Sequence, residues 1–228
     1  HDRVGPDLKD IAIVFNNKRP ILFLKKHLGQ IAGKAFWSPS FFTIGQFVSE
    51  SSGLLVADQI QQFFILHQEF NHLLVLEGSA PMSPDVFYPM AEIILGDFAQ
   101  IDYDLADPDE LFSQLFDIAV IQHQFSHFTE EQQQFLERFW ASFSTGKHQE
   151  HQQKFIDLWK RLPLLYTAFH QHLAGLGLST TPNMYRQFAL GETSNPKFYD
   201  RYKKVVFVGF NALNKSESVL FMRMQKEG

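Results

Sequence analysis

The chain has 228 residues and a mass of 26.4 kDa, is 45% hydrophobic and 20% charged, and carries a formal net charge of −5. That apolar fraction excludes intrinsic disorder, 13 Gly and 10 Pro exclude a collagenous or low-complexity chain, and the lack of Cys excludes disulfides, thiol catalysis, zinc ribbons and iron–sulfur clusters. No run of about 18 uncharged apolar residues reads as a membrane span, and a start at His-Asp-Arg without Met reads as a piece of something longer.

Ile11-Ala-Ile-Val-Phe15 is a short apolar run of β type, ended by Asn16-Asn17. Arg19 to Gly33 follows with Ile21, Leu24, Leu28 and Ile31 at helical spacing. A second strand, Phe41 to Ile44, leads into a helix near Gly45, and a third, Val205 to Phe210, precedes a closing helix from Ser216 to Lys226. Short apolar strands that each feed a helix suit a parallel sheet buried on both faces. Between Phe47 and Val205 the pattern is helical: Val56 to Leu76, Val86 to Ile101, Glu110 to Ile121, Glu130 to Phe143 and Gln149 to Leu173. Thr129-Glu-Glu-Gln132 reads as a capping box and Pro163 as a kink. The expected layout is therefore α/β and predominantly helical, a strand-rich shell interrupted by about 150 residues of helix, with the 25 Phe serving packed helices.

Charge is segregated along the chain. Residues 1–34 hold seven Lys/Arg against three acids, residues 50–150 two against seventeen, and residues 151–228 eleven against five. An anionic partner is steered to the basic ends and repelled by the middle.

Familiar catalytic patterns fail on spacing. Gly29-Gln-Ile-Ala-Gly33-Lys34-Ala35 has one residue too few between its glycines for a P-loop, ends a helix and lacks the hydroxyl that holds magnesium. The pairs His123/His127, His148/His151 and His170/His172 have no third ligand in a zinc pattern and read as solvent or interface histidines. The acids Asp97, Asp102, Asp104, Asp107, Asp109 and Glu110 lack the alternation and glycine of a calcium loop, and a helix end followed by a capped helix explains them. Pro84-Asp85 and Asp7-Leu8-Lys9 stand in the wrong order for a magnesium nuclease.

Specific spacing appears in three strings. Ile11 to Lys18, with Phe-Asn-Asn-Lys at its end, resembles motif Ia of superfamily 1 helicases, Phe42-Thr-Ile-Gly-Gln-Phe47 resembles the next strand-to-helix signature, and Val205 to Asn214 resembles the Walker B strand. The chain is similar over nearly its whole length to the N-terminal region of AddB-type proteins and the bacterial PD-(D/E)XK nuclease family. The strings that carry the likeness are Val14 to Arg19, Trp37-Ser-Pro39 with Thr43-Ile44 and Phe47, Phe87-Tyr88 with Asp97-Phe98 and Ile101-Asp102, Met184-Tyr-Arg186, and Val208 to Glu217.

The resemblance implies a partial RecA-like (P-loop NTPase-like) parallel sheet built from residues 1–49 and 200–228. It implies that residues 50–199 form a helical insertion like helicase subdomain 1B. It further implies a helicase-like N-terminal module of a longer cytoplasmic DNA-repair or recombination protein, whose nuclease lies beyond Gly228. Expected partners are single-stranded or duplex DNA bound weakly and without sequence preference, the rest of the parent chain including that nuclease, and a helicase partner subunit, with no membrane. The degenerate Walker B is Val208, Gly209 and Asn211, where a valine cannot ligate magnesium and a glycine cannot position water. Neither ATP nor magnesium is expected here, magnesium belonging to the nuclease, and no catalytic or metal-ligating residue is assigned. DNA contacts are expected at Asn16, Asn17, Lys18, Arg19 and Thr43, at the carboxyl ends of the strands. The competing expectation is a helical module that docks a partner subunit or the nuclease without touching DNA.

Overall fold

The computed structural model describes residues 7–33, 35–112 and 148–227. In chain order these form β1 (Ile11–Phe15), α1 (Lys18–Ala32), β2 (Ser40–Thr43), α2 (Ile44–Ser52), β3 (Leu55–Val56), α3 (Gln59–Leu76), α4 (Pro84–Tyr103), α5 (His148–Gly175), β4 (Leu178–Ser179), α6 (Thr181–Leu190), α7 (Pro196–Tyr199), β5 (Lys204–Val208) and α8 (Lys215–Glu227). The fold is α/β and predominantly helical, with small parallel sheets. The expected helix Glu130 to Phe143, the greater part of Glu110 to Ile121, the box at Thr129 and the pair His123/His127 lie outside the described residues, as do the side chains of His148 and His151.

Two compact units divide the chain, one of residues 1–59, 96–105 and 173–228, the other of residues 60–95 and 106–172. The first holds a parallel sheet in the order β2-β1-β5, so its strands come from the two ends of the chain. Val14 pairs with Phe42 on one side and Phe207 on the other, while Phe15 sits between Thr43 and Val208. Alternation then decides the faces. Ala12 and Val14, both fully buried, join Phe42, Val205 and Phe207 in one core with Phe47, Met184, Phe188, Phe198 and Leu220 from α2, α6, α7 and α8. Phe47 is the hub: its ring meets Phe188, Phe198 and Phe207 edge-on at centroid distances of 6.2, 5.6 and 5.3 Å. Such pairs contribute about 0.5–1.5 kcal/mol each beyond burial. On the opposite face α1 buries Ile21, and Lys25 reaches over the Phe41 ring at 5.2 Å.

The strand and helix ends follow from local chemistry. β5 stops at Val208, two residues short of the expected Phe210, because Gly209 has φ +76° and leaves the extended region. β2 ends at Thr43 because that residue caps α2, so Ile44, expected in the strand, is the first helical residue. Of the expected apolar stripe of α1, Ile21 is buried and Leu24 and Leu28 are half-buried, but Ile31 is 73% exposed, so the stripe fades before the helix ends. A second ladder, β3 with β4, was outside the expected pattern: Leu55 pairs with Leu178 and Val56 with Ser179. Two-residue strands leave no periodicity to read.

In the second unit Phe63, Phe70 and Phe87 pack together, with the Phe70 and Phe87 rings stacked at 4.8 Å. The Asn71 carboxamide ties down the segment before α4, accepting from Met82 N at 2.7 Å and donating to Met82 O at 3.0 Å. Arg161 Nε donates to both carboxylate oxygens of Glu77, at 3.0 and 2.8 Å. α4 and α5 each continue as one helix through Pro89 and Pro163.

Candidate functional site

The carboxyl edge of the three-stranded sheet gathers every residue assigned to DNA contact and to the Walker B position. β1 delivers the Asn16-Asn17 turn, β2 ends on Thr43, and β5 ends on Val208-Gly209. Asn17 is the N-cap of α1, its side-chain oxygen accepting from Arg19 N at 3.0 Å, and Pro20 falls in the first turn, where its missing N–H costs nothing. Lys18 and Arg19 therefore project from the first helical turn; both are exposed, and neither forms an ion pair among the described residues. Asn16 is exposed beside them.

Thr43 plays a different part. Its hydroxyl accepts from Gln46 N at 3.3 Å and lies 3.1 Å from Gln46 Oε1, which in turn accepts from Thr43 N at 3.0 Å. This is a complete capping box, so the hydroxyl is engaged within its own helix. A second box explains much of the most specific family-like string. Asn214 Oδ1 accepts from Glu217 N at 2.8 Å while Glu217 Oε2 accepts from Asn214 N at 3.2 Å, which fixes the start of α8. Just before this box Asn211 is exposed, and Phe210 packs on Phe207 and Phe221. Val208 and Gly209 offer no carboxylate to a cation.

A pocket of about 520 Å³ opens at the same edge, lined by Phe15, Asn17, Arg19, Pro20, Phe23, Leu24, His27 and Val208. α1 packs against β1 and β2, while Val208, on the strand at the far side of β1 from β2, is 38% exposed. Phe23 and His27 were not among the expected site residues. The signal was present as Arg19, Phe23 and His27 at i, i+4 and i+8, a second stripe beside the apolar one.

The opposite, amino edge of the sheet carries two ion pairs. Asp10 accepts from Lys203 Nζ at 2.6 Å and Asp7 pairs with Lys9 at 3.2 Å, while Lys204, the first residue of β5, stands exposed beside them.

The remaining candidates serve the fold. Gly29 lies within α1 and Gly33 ends it with φ +62°, its N–H meeting Gly29 O at 3.4 Å. Within the acid cluster, Asp107 Oδ1 accepts from the amides of Asp109 and Glu110 at 2.9 and 3.1 Å, and buried Asp102 accepts from Asn183 Nδ2 at 3.0 Å. His172 Nδ1 lies 2.6 Å from Glu69 Oε1, and half-buried His170 packs its ring against Tyr166 at 4.5 Å. Among the described residues no three His, Asp or Glu side chains converge as a metal would require, and no helix is long and apolar enough to cross a membrane. Compared with models of known protein families and with curated proteins, the chain matches none.

Proposed function

We propose that the chain is a non-catalytic, helicase-like module of a longer DNA-repair or recombination protein, with a RecA-like subdomain that contacts DNA at the carboxyl edge of its sheet. The observation that carries this reading is the coincidence at one edge of the acid-free Asn16–Arg19 turn and the Val208-Gly209 turn, on a parallel sheet ordered β2-β1-β5. Asn16, Lys18 and Arg19 make the contact, while Asn17 and Thr43 hold the two turns that present them. Phosphate contacts of this kind are sequence-independent and salt-dependent. ATP hydrolysis is not part of the reading, because the turn after β5 has no carboxylate for magnesium or for the attacking water.

Fluorescence anisotropy with labelled single-stranded DNA at low salt tests the contact. Binding that Lys18→Ala with Arg19→Ala weakens supports it, and absence of binding, or binding that the double substitution leaves unchanged, overturns it. A second reading, a helical docking module, draws on the second unit. There Ile60 and Phe64 of α3 are exposed one turn apart, and Val86, Tyr88 and Ile93 of α4 are exposed as well. Hydrophobic-dye binding and solution mass distinguish it: strong dye uptake with self-association, and no DNA binding, favours docking.

A further inference from the structure

We propose that the chain associates with a second copy of itself, the basic face of α1 on one copy docking against the acidic face of α4 on the other. Arg19, Leu22 and Lys26 meet Asp85, Tyr88 and Glu92 in this contact. It goes beyond the DNA reading above and shares only Arg19 with it.

The two faces carry opposite charges at one spacing. On α1, Arg19, Leu22 and Lys26 stand at i, i+3 and i+7, so they share a face, with Phe23 beside them. On α4, Asp85, Tyr88 and Glu92 stand at the same intervals. All are exposed, Leu22 by 68%, Phe23 by 58% and Tyr88 by 51%. Seven residues of helix rise about 10.5 Å, so two cations match two carboxylates whichever way the helices run. Leu22 falls opposite Tyr88 when they run parallel, and Phe23 does when they run antiparallel.

Neither face is answered within the chain. α1 has no acid, and residues 35–137 contain no Lys or Arg, so α3 and α4 offer Asp85 and Glu92 no counter-charge. Among the described residues no ion pair reaches Arg19, Lys26, Asp85 or Glu92. Hydrogen bonds from Ser83 and from the first amides of α4 hold the Asp85 carboxyl below its ordinary range, and Tyr88 Oη donates to Glu92 Oε1 at 2.9 Å. Apolar surface continues from Tyr88 onto α3. Its ring lies 5.4 Å from that of Phe63, which meets Phe64 at 5.1 Å, and Phe64 and Ile60 are exposed one turn apart.

Every other occupant answers one face only. DNA or an anionic lipid surface suits α1 and is repelled by α4, while a basic segment of another protein suits α4 and leaves Leu22 and Lys26 bare. A second copy answers both. Because the two faces differ, the contact is heterologous: it closes as a reciprocal dimer or runs on as an open chain, and the mass rises with concentration in either case.

Sedimentation equilibrium of the 228-residue chain without nucleic acid tests the contact, from about 10 to about 500 µM because so small an interface binds weakly. The average mass of the wild type rises above 26.4 kDa with concentration, and about 500 mM salt weakens the rise by screening the charge pairs. Lys26→Glu and Glu92→Lys each weaken association roughly 2- to 30-fold, since each turns an attraction into a repulsion. An equimolar mixture of the two variants recovers it, because contacts between unlike copies again join opposite charges. Both positions are exposed, so thermal melts of the variants match the wild type.

A mass of 26.4 kDa at every concentration, association that either charge reversal leaves unchanged, or a mixture that recovers nothing overturns the proposal. So does a monomeric chain that sediments with phosphatidylserine vesicles and loses them in Lys26→Glu, which assigns α1 to a lipid surface instead. A monomer that binds single-stranded DNA through Lys18 and Arg19 ends this contact and leaves the DNA reading standing. A chain that associates as described but binds no strand does the reverse.

Discussion

Thr43→Ala separates a structural from a DNA-contacting role at the edge of the sheet. The substitution removes the acceptor for Gln46 N, 3.3 Å away, and breaks one half of the box that starts α2. Losing such a cap costs about 1 kcal/mol, within a range of roughly 0.5–2. Unfolding entropy of about 2.1 cal/mol/K per residue gives about 480 cal/mol/K for 228 residues, so the expected fall in Tm is about 2 °C. Gln46→Ala removes the reciprocal bond, and the double variant should lose less than the sum of the two, by about 0.5 kcal/mol, because the bonds belong to one unit. Thr43→Ser keeps the oxygen and most of the stability. Thermal melts of the wild type and the four variants by circular dichroism measure the cap, and anisotropy on the same samples measures DNA binding, expected to change less than about twofold. An unchanged Tm together with several-fold weaker binding would refute the reasoning, since the hydroxyl would then be free for a phosphate.

Other substitutions probe the elements that position this edge. Phe47→Ala empties the aromatic hub and should cost about 3–5 kcal/mol, lowering Tm by roughly 6–10 °C, whereas Phe47→Leu costs far less; a loss under about 1 kcal/mol contradicts the packing. Gly209→Ala meets no atom within 4 Å but forces a Cβ into φ +76°, so a loss of about 1–2 kcal/mol in a melt is expected from backbone strain alone. The Arg161 guanidinium hydrogen-bonds Glu77 and holds its carboxyl below the usual range. Stabilisation from that pair is complete above the ordinary glutamate value of about 4.3 and fades as pH falls through the lowered one. Melts from about pH 7 to about pH 3 should therefore drop more steeply for the wild type than for Arg161→Gln, and parallel curves contradict the assignment.

The strands were legible because each is a run of apolar residues broken by an unmistakable stop. Asn16-Asn17 ends β1 where expected, and Lys204 to Val208 fills the third expected strand except for its last two residues. What the pattern hid was conformational: nothing in Val-Gly-Phe says that the glycine takes a positive φ, and it is that angle which ends β5. β3 and β4 stayed invisible because two residues carry no period and their pairing spans more than 120 positions. At the site, the Asn16–Arg19 turn was legible from its cations. Thr43 was legible by position but not by role, because Thr-x-x-Gln suits a capping box and a ligand contact equally until the hydrogen bonds are seen. Phe23 was hidden by the stronger stripe at Ile21 and Leu24, since an apolar residue beside an apolar stripe reads as more core until its exposure is known.

The central claim is that the carboxyl edge meets the phosphates of DNA through Lys18 and Arg19. Its most direct test is the salt dependence of single-strand binding for the wild type and for Lys18→Ala with Arg19→Ala, from about 50 to about 200 mM monovalent salt. Each cation contributes about 0.7 to the slope of log affinity against log salt, so the double variant should be shallower by about 1.4, and its deficit in affinity should shrink roughly sevenfold across that range. Two parallel lines, or a wild type whose binding does not respond to salt, would contradict the account.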